Sequence, residues 1–172
     1  ADAHNDFLTA EKDKTKRARL VKDFVSQGVG VLNCAVFTTE QNLNIADVEA
    51  FKKEVEEYNH QYNVDGKQIC QFLLSIEDIG FIKSKEDLKR LIKLKPVSVT
   101  LTWNKNNQFA GGALDGGGLT KLGEETVRVL EENNILVDTA HLNKKSFWQF
   151  TKITNKPIYC SHANVYALHP HK

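Results

Sequence analysis

Along the chain, short apolar runs alternate with stretches whose apolar positions recur every three to four residues. The runs cover residues 31–37 (VLNCAVF), 69–77 (ICQFLLSIE), 97–103 (VSVTLTW), 135–141 (ILVDTAH) and 157–162 (PIYCSH), and residues 1–6 read as the end of another. They are rich in Val, Ile and Leu and mostly apolar on both faces, as in strands of a buried parallel sheet. Between them, Ile45, Val48, Phe51, Val55 and Tyr58 recur at near-helical spacing, with charged residues on the opposite face. Residues 12–26 predict a helix closed by Gly28. Leu88, Leu91 and Ile92 mark a helix that Ser84 would cap, with Asp87 three residues on. Leu122, Val127 and Leu130 mark another, and Phe147, Trp148 and Phe150 a last one, ended before Pro157. The glycine-rich stretch 111–118 (GGALDGGG) predicts a mobile loop.

Strands alternating with helices predict an α/β fold with right-handed crossovers. Two architectures fit, an open doubly wound sheet and a (β/α) barrel, and the polar residues separate them. His4 and Asp6, Glu77, His141 and His162 interrupt apolar runs at the carboxyl ends of their strands. That end is the functional face of α/β folds. Three imidazoles and two carboxylates form a mixed N/O donor set suited to zinc or a similar divalent ion. His4 and Asp6 are two residues apart, so both side chains share one strand face and can reach one ion. Adjacent strands lie roughly 4.8 Å apart. In an open sheet these ends would stand too far apart to share ions through bonds of about 2 Å. Closing the sheet brings them around one axis. A closed barrel takes eight strands and about 250 residues. Six strand patterns in 172 residues therefore predict a (β/α)8 TIM-type barrel present as its first six strand–helix units, one domain over residues 1–172, incomplete at both ends.

Composition narrows the partners. The chain is 41% hydrophobic and 26% charged, an ordinary globular balance. Lys and Arg number 23 against 22 Asp and Glu, so the net charge of +1 argues against nucleic acid as the main partner. No apolar run is long enough for a membrane span, and no leader pattern opens the chain. Cys34, Cys70 and Cys160 are scattered and form no CxxC pair, which favours a reducing compartment and a cytoplasmic location. Cys34 and Cys160 fall inside strand patterns and read as core. His60 reads as a surface residue at a helix end, and His169 and His171 as part of a tail. Trp103 and Asn104 sit at the mouth of the 97–103 strand and are the candidates for substrate contact, with core packing the other role open to Trp103.

Six segments in order, 2–6 (DAHND), 75–79 (SIEDI), 100–104 (TLTWN), 118–123 (GLTKLG), 136–142 (LVDTAHL) and 161–164 (SHAN), resemble those of the membrane (renal) dipeptidase family, in its bacterial form. The resemblance spans essentially the whole chain and is weakest over 12–62. It implies a (β/α)8 barrel with a binuclear zinc site: His4 and Asp6 on one ion, His141 and His162 on the second, and Glu77 bridging both as the catalytic carboxylate. It further implies a bridging water or hydroxide that hydrolyses dipeptides, often with a D-residue at the C-terminal position, and a possible homodimer. The family's substrate-carboxylate Arg would follow Lys172 and its acid/base Asp would lie on a later strand. Renal-type members carry a substrate-contacting His where this chain has Trp103, and the histidine motifs here read DTAH and SHA, each short of a hydroxyl. These departures keep two other readings open: a metal-dependent amidohydrolase acting on another amide or ester, and a non-catalytic metal-binding pseudoenzyme.

Overall fold

A computed structural model of the chain describes residues 1–37, 43–165 and 167–168. In chain order the elements are β1 (Asp2–Asn5), α1 (Phe7–Ala10), α2 (Lys14–Ser26), β2 (Val31–Val36), α3 (Ile45–Gln61), β3 (Asn63–Val64), β4 (Lys67–Gln68), β5 (Gln71–Ile76), α4 (Lys85–Lys93), β6 (Ser98–Thr100), α5 (Lys121–Glu132), β7 (Leu136–Asp138) and α6 (Lys144–Phe150). Side chains cap the helices where the backbone leaves N–H groups without partners. Asp13 accepts from Thr15 and Lys16, Ser84 from Asp87, Thr120 from Gly123 and Asn143 from Ser146. Asn44 and Asp47 form a reciprocal capping box on α3.

The strands pair in parallel in the order β1-β2-β5-β6-β7. That order follows the chain around without reversing. A doubly wound sheet reverses at a switch point, whereas a barrel does not. Curvature supports the same conclusion. Five flat strand spacings would separate residue 159 from β1 by about 24 Å. Instead the Tyr159 hydroxyl donates to the Ala3 carbonyl at 3.3 Å, and the His4 and His162 rings lie 4.2 Å apart. The molecule is therefore a curled parallel sheet with helices outside, a partial (β/α) barrel. No described helix is long and apolar enough to cross a membrane.

Register divides the two faces of the sheet. Leu32, Cys34 and Val36 pair with Phe72, Leu74 and Ile76, and all six are buried. Tyr58 of α3 packs on Phe72 with ring centroids 5.5 Å apart, so this face is the one covered by helices. The alternate positions carry Asn33, Ala35, Ser75 and Ser98, which are buried, small or polar, and lead up to Glu77.

Three expectations change, and one element is added. The run at 157–162 does not form a sixth strand: it makes a single parallel bridge between Asp138 and Tyr159. Pro157 has no N–H to donate, β7 is only three residues long, and Ile158 is 53% exposed. Cys160 is accordingly exposed, while Cys34 is buried as expected. A hairpin, β3-β4, turns on Asp65 and Gly66, both at positive φ. The Asp-Gly pair is a hairpin turn signal in the sequence. Finally, the glycine stretch 111–118 is a packed loop. Gly111 N–H donates to Ser146 Oγ and Gly112 N–H to Asn106 Oδ1. A Cβ on Gly112 would lie 2.5 Å from the Trp103 and Lys105 carbonyl oxygens, so the glycine permits close backbone approach. His60 is exposed in the last turn of α3, and His169 and His171 lie outside the described residues.

Candidate metal centre

The carboxyl ends of β1, β5 and β7 and the 157–162 segment converge on one point. His4 lies on β1 and Asp6 just beyond it, with His4 Nε2 3.1 Å from Asp6 Oδ1. Glu77 follows β5, and its N–H extends the ladder to the Val36 carbonyl at 2.9 Å. The Glu77 side chain is 4% exposed and divides its oxygens. Oε2 lies 3.4 Å from His4 Nε2, while Oε1 lies 2.6 Å from His141 Nε2 and 4.0 Å from His162 Nε2. His141 and His162 face each other, Nε2 to Nε2, at 2.8 Å. Donor atoms of His4, Glu77 and His162 all fall within 4.8 Å of one another.

Backbone conformations that cost energy bracket this cluster. Asp78 has φ +61° and His141 φ +65°, a region non-glycine residues adopt at a cost of about 1–3 kcal/mol. Each is held by specific contacts. Asp78 N–H donates to Thr100 Oγ1 at 2.7 Å, and Asp78 Oδ1 accepts from Gly80 N–H and Asn107 Nδ2. His141 Nδ1 lies 3.3 Å from Asn104 Oδ1. This contact holds the ring with Nε2 turned toward Glu77 and His162. On His162, Nδ1 pairs with Ser161 Oγ at 2.9 Å.

The electrostatics are those of donors crowded without a cation. Burial works to raise the Glu77 carboxyl, but contacts from His141 and His4 outweigh it and hold the group at about 2. The Asp6 carboxylate, then Glu77, lifts His4 to about 10 against burial. Burial, then the neighbouring His4 and His141, push His162 below the usual imidazole value. Asp6 Oδ1 is buried and receives no aligned hydrogen bond, despite the nearby His4 nitrogen. Two imidazole nitrogens at 2.8 Å must share a proton or a cation. These orphaned and opposed donors fit a divalent ion of the zinc type.

All five expected ligands thus come together, and Trp103 and Asn104 lie beside them. Trp103 sits between Phe37 and His141, with ring centroids 4.8 and 5.8 Å away. Asn104 is turned toward His141. A cavity of about 370 Å³ opens against Glu77 and Trp103 and is bordered by Lys105, Asn106 and Gln108. Sequence reasoning assigned no role of their own to Asp138, Thr100 and Asn107, which hold the loops that carry the cluster. Asp138 had a signal of its own, a carboxylate inside an otherwise apolar strand.

A curled parallel sheet with histidines and carboxylates gathered at its carboxyl edge defines the class of metal-centred (β/α) barrels. Residues 2–172 match the model of the membrane dipeptidase family, peptidase family M19, and the chain belongs to that family. It is 30% identical over 81 residues to an uncharacterized protein in the PQQ-III 3' region of Acinetobacter calcoaceticus, covering 42% of this chain and 26% of that one. It is 27% identical over 107 residues to the dipeptidase tcpJ of Claviceps purpurea, covering 59% and 25%. The chain thus spans only about a quarter of the length of these relatives. In fold it is similar, with a TM-score of 0.73 at 17% identity over 98% of this chain and 66% of that one, to a metallopeptidase of Rhodobacter sphaeroides liganded with a phosphinate mimic of L-Ala-D-Ala.

Proposed function

We propose that this chain carries the two-ion centre of a zinc dipeptidase. The observation that carries the reading is the division of Glu77: one carboxylate oxygen faces His4, the other faces His141 and His162. A carboxylate so placed would serve two ions at once. His4 and Asp6 would hold one, His141 and His162 the other. Bound there, a pair of zinc ions supplies a water of lowered pKa as nucleophile and polarises the scissile carbonyl.

The chain's own residues do the rest. Asn104 orients the His141 ring through Nδ1. Trp103 forms an apolar wall beside Glu77, and Lys105, Asn106 and Gln108 give the cavity a polar rim. The space of about 370 Å³ beside Glu77 is at the small end of ligand pockets. The relatives support the same substrate: one is a dipeptidase, and the structure of another is liganded with a phosphinate mimic of L-Ala-D-Ala. The test is release of free amino acids from a dipeptide panel, including L-Ala-D-Ala, by zinc-loaded protein. Chelator-sensitive hydrolysis of dipeptides over tripeptides is expected. Full zinc occupancy with no hydrolysis would leave a metal-binding protein instead.

A further inference from the structure

Asp138 ends β7 and is buried. Its Oδ1 accepts two backbone N–H groups, from Ala140 at 3.0 Å and from Ser161 at 3.1 Å. These amides immediately precede His141 and His162. One oxygen atom therefore ties together the two chain segments that present the opposed imidazoles.

The segments need such a tie. His141 sits at φ +65°, where a non-glycine residue is not self-supporting. His162 follows a segment with only one bridge to the sheet, so no ladder sets its height. Thr139 adds to the junction, giving both its N–H and its Oγ1 to the Tyr159 carbonyl at 2.9 Å. Those bonds join the strands one step before the histidine loops turn. The Asp138 oxygen is the contact that reaches the turns themselves. One oxygen that accepts both N–H groups, at 3.0 and 3.1 Å, fixes the spacing of the two turns.

We propose that Asp138 is a positioning residue for one of the two ions, the one held by His141 and His162. This rests on the two-ion reading. The effect is selective: among the described residues the Asp138 side chain bonds to the backbone just before His141 and His162, and no side-chain hydrogen bond links it to His4 or Asp6. Loss of the Oδ1 acceptor frees the two loops, and the paired Nε2 atoms lose their common aim. Changes to groups that orient ligands cost 10- to 100-fold in metal affinity.

The experiment is stepwise zinc titration of the wild type, Asp138→Ala and Asp138→Asn, with visible spectra of the cobalt-substituted forms. Amide hydrogen exchange at Ala140 and Ser161 is followed in chelator-treated protein. The wild type should bind two ions. Asp138→Ala should weaken one by about 10- to 100-fold and leave the other unchanged. Asp138→Asn keeps a same-shaped oxygen acceptor and should restore most of that loss. The Ser161 amide should exchange slowly in the wild type even without metal. Two ions of unchanged affinity in Asp138→Ala would overturn the inference, as would Asn as damaging as Ala. If Asp138→Ala does not fold, fast Ser161 exchange in the wild type would overturn it as well. A wild type that binds no zinc while its Ser161 amide remains protected would instead bring down the two-ion reading, and the inference with it.

Discussion

Replacing Glu77 by Gln in chelator-treated protein should change how stability responds to acid. The carboxyl is 4% exposed and is held at about 2, against 4.5 for a free group, by His141 and His4 acting against burial. A shift of that size corresponds to about 3 kcal/mol at roughly 1.4 kcal/mol per unit. The lift on His4 has Asp6 as its larger cause and so overstates the Glu77 contact. The folded-state value is depressed, so the stabilisation is fully present above pH 4.5 and is lost as the pH falls through about 2. Urea unfolding at a series of pH values measures it. The wild type should exceed Glu77→Gln by about 3 kcal/mol near neutrality, and the gap should close toward pH 2. Parallel pH profiles for the two proteins would refute the reasoning, because they would mean that Glu77 has no ionic partners in the folded chain.

Other consequences can be checked separately. Arg17 makes a buried two-pronged contact with Glu54, 2.7 Å at each prong, and Tyr58 donates to the same carboxylate. Arg17→Met should cost about 3–5 kcal/mol by stranding that charge, whereas Arg90→Met at the part-exposed Glu49 pair should cost about 1 kcal/mol or less; similar urea midpoints for the two variants would contradict this. Zinc must displace the proton that Asp6 and Glu77 hold on His4 up to about pH 10, so apparent affinity should rise with pH over that range. Calorimetry near neutral pH in two buffers of different ionisation enthalpy should then show proton release, and identical heats would argue against it. Gly112→Ala would push a Cβ into the Trp103 and Lys105 carbonyls, so it should destabilise by about 1–3 kcal/mol; an unchanged melting temperature would show that this loop yields.

That His4, Asp6, Glu77, His141 and His162 would converge was legible in the sequence because each breaks or follows a strand-like run at the same end. Period and run length carry that information directly. The winding was legible too, since strands that alternate with helices in unbroken order can curl around one axis. What escaped depends on neighbours rather than on pattern. Residues 157–162 have a strand's composition, but Pro157 and a three-residue β7 leave room for one bridge. The glycines at 111–118 suggested freedom, yet Gly112 is small because two carbonyls crowd it. The contact of Asn104 with His141, two loops apart in the chain, has no pattern in the sequence. Asp138 was read as part of a motif, and only the fold shows that its oxygen joins two loops. The Asp65-Gly66 turn was a signal in plain view whose hairpin is too short to produce a visible strand pattern.

The most direct test of the two-ion centre is zinc content per chain by elemental analysis, after purification without added metal and again after zinc is supplied and excess removed. The arrangement of His4, Asp6, Glu77, His141 and His162 predicts two equivalents in the wild type and loss at both positions in Glu77→Gln. A wild type that retains no zinc after loading, or a Glu77→Gln variant that still holds both ions, would contradict it.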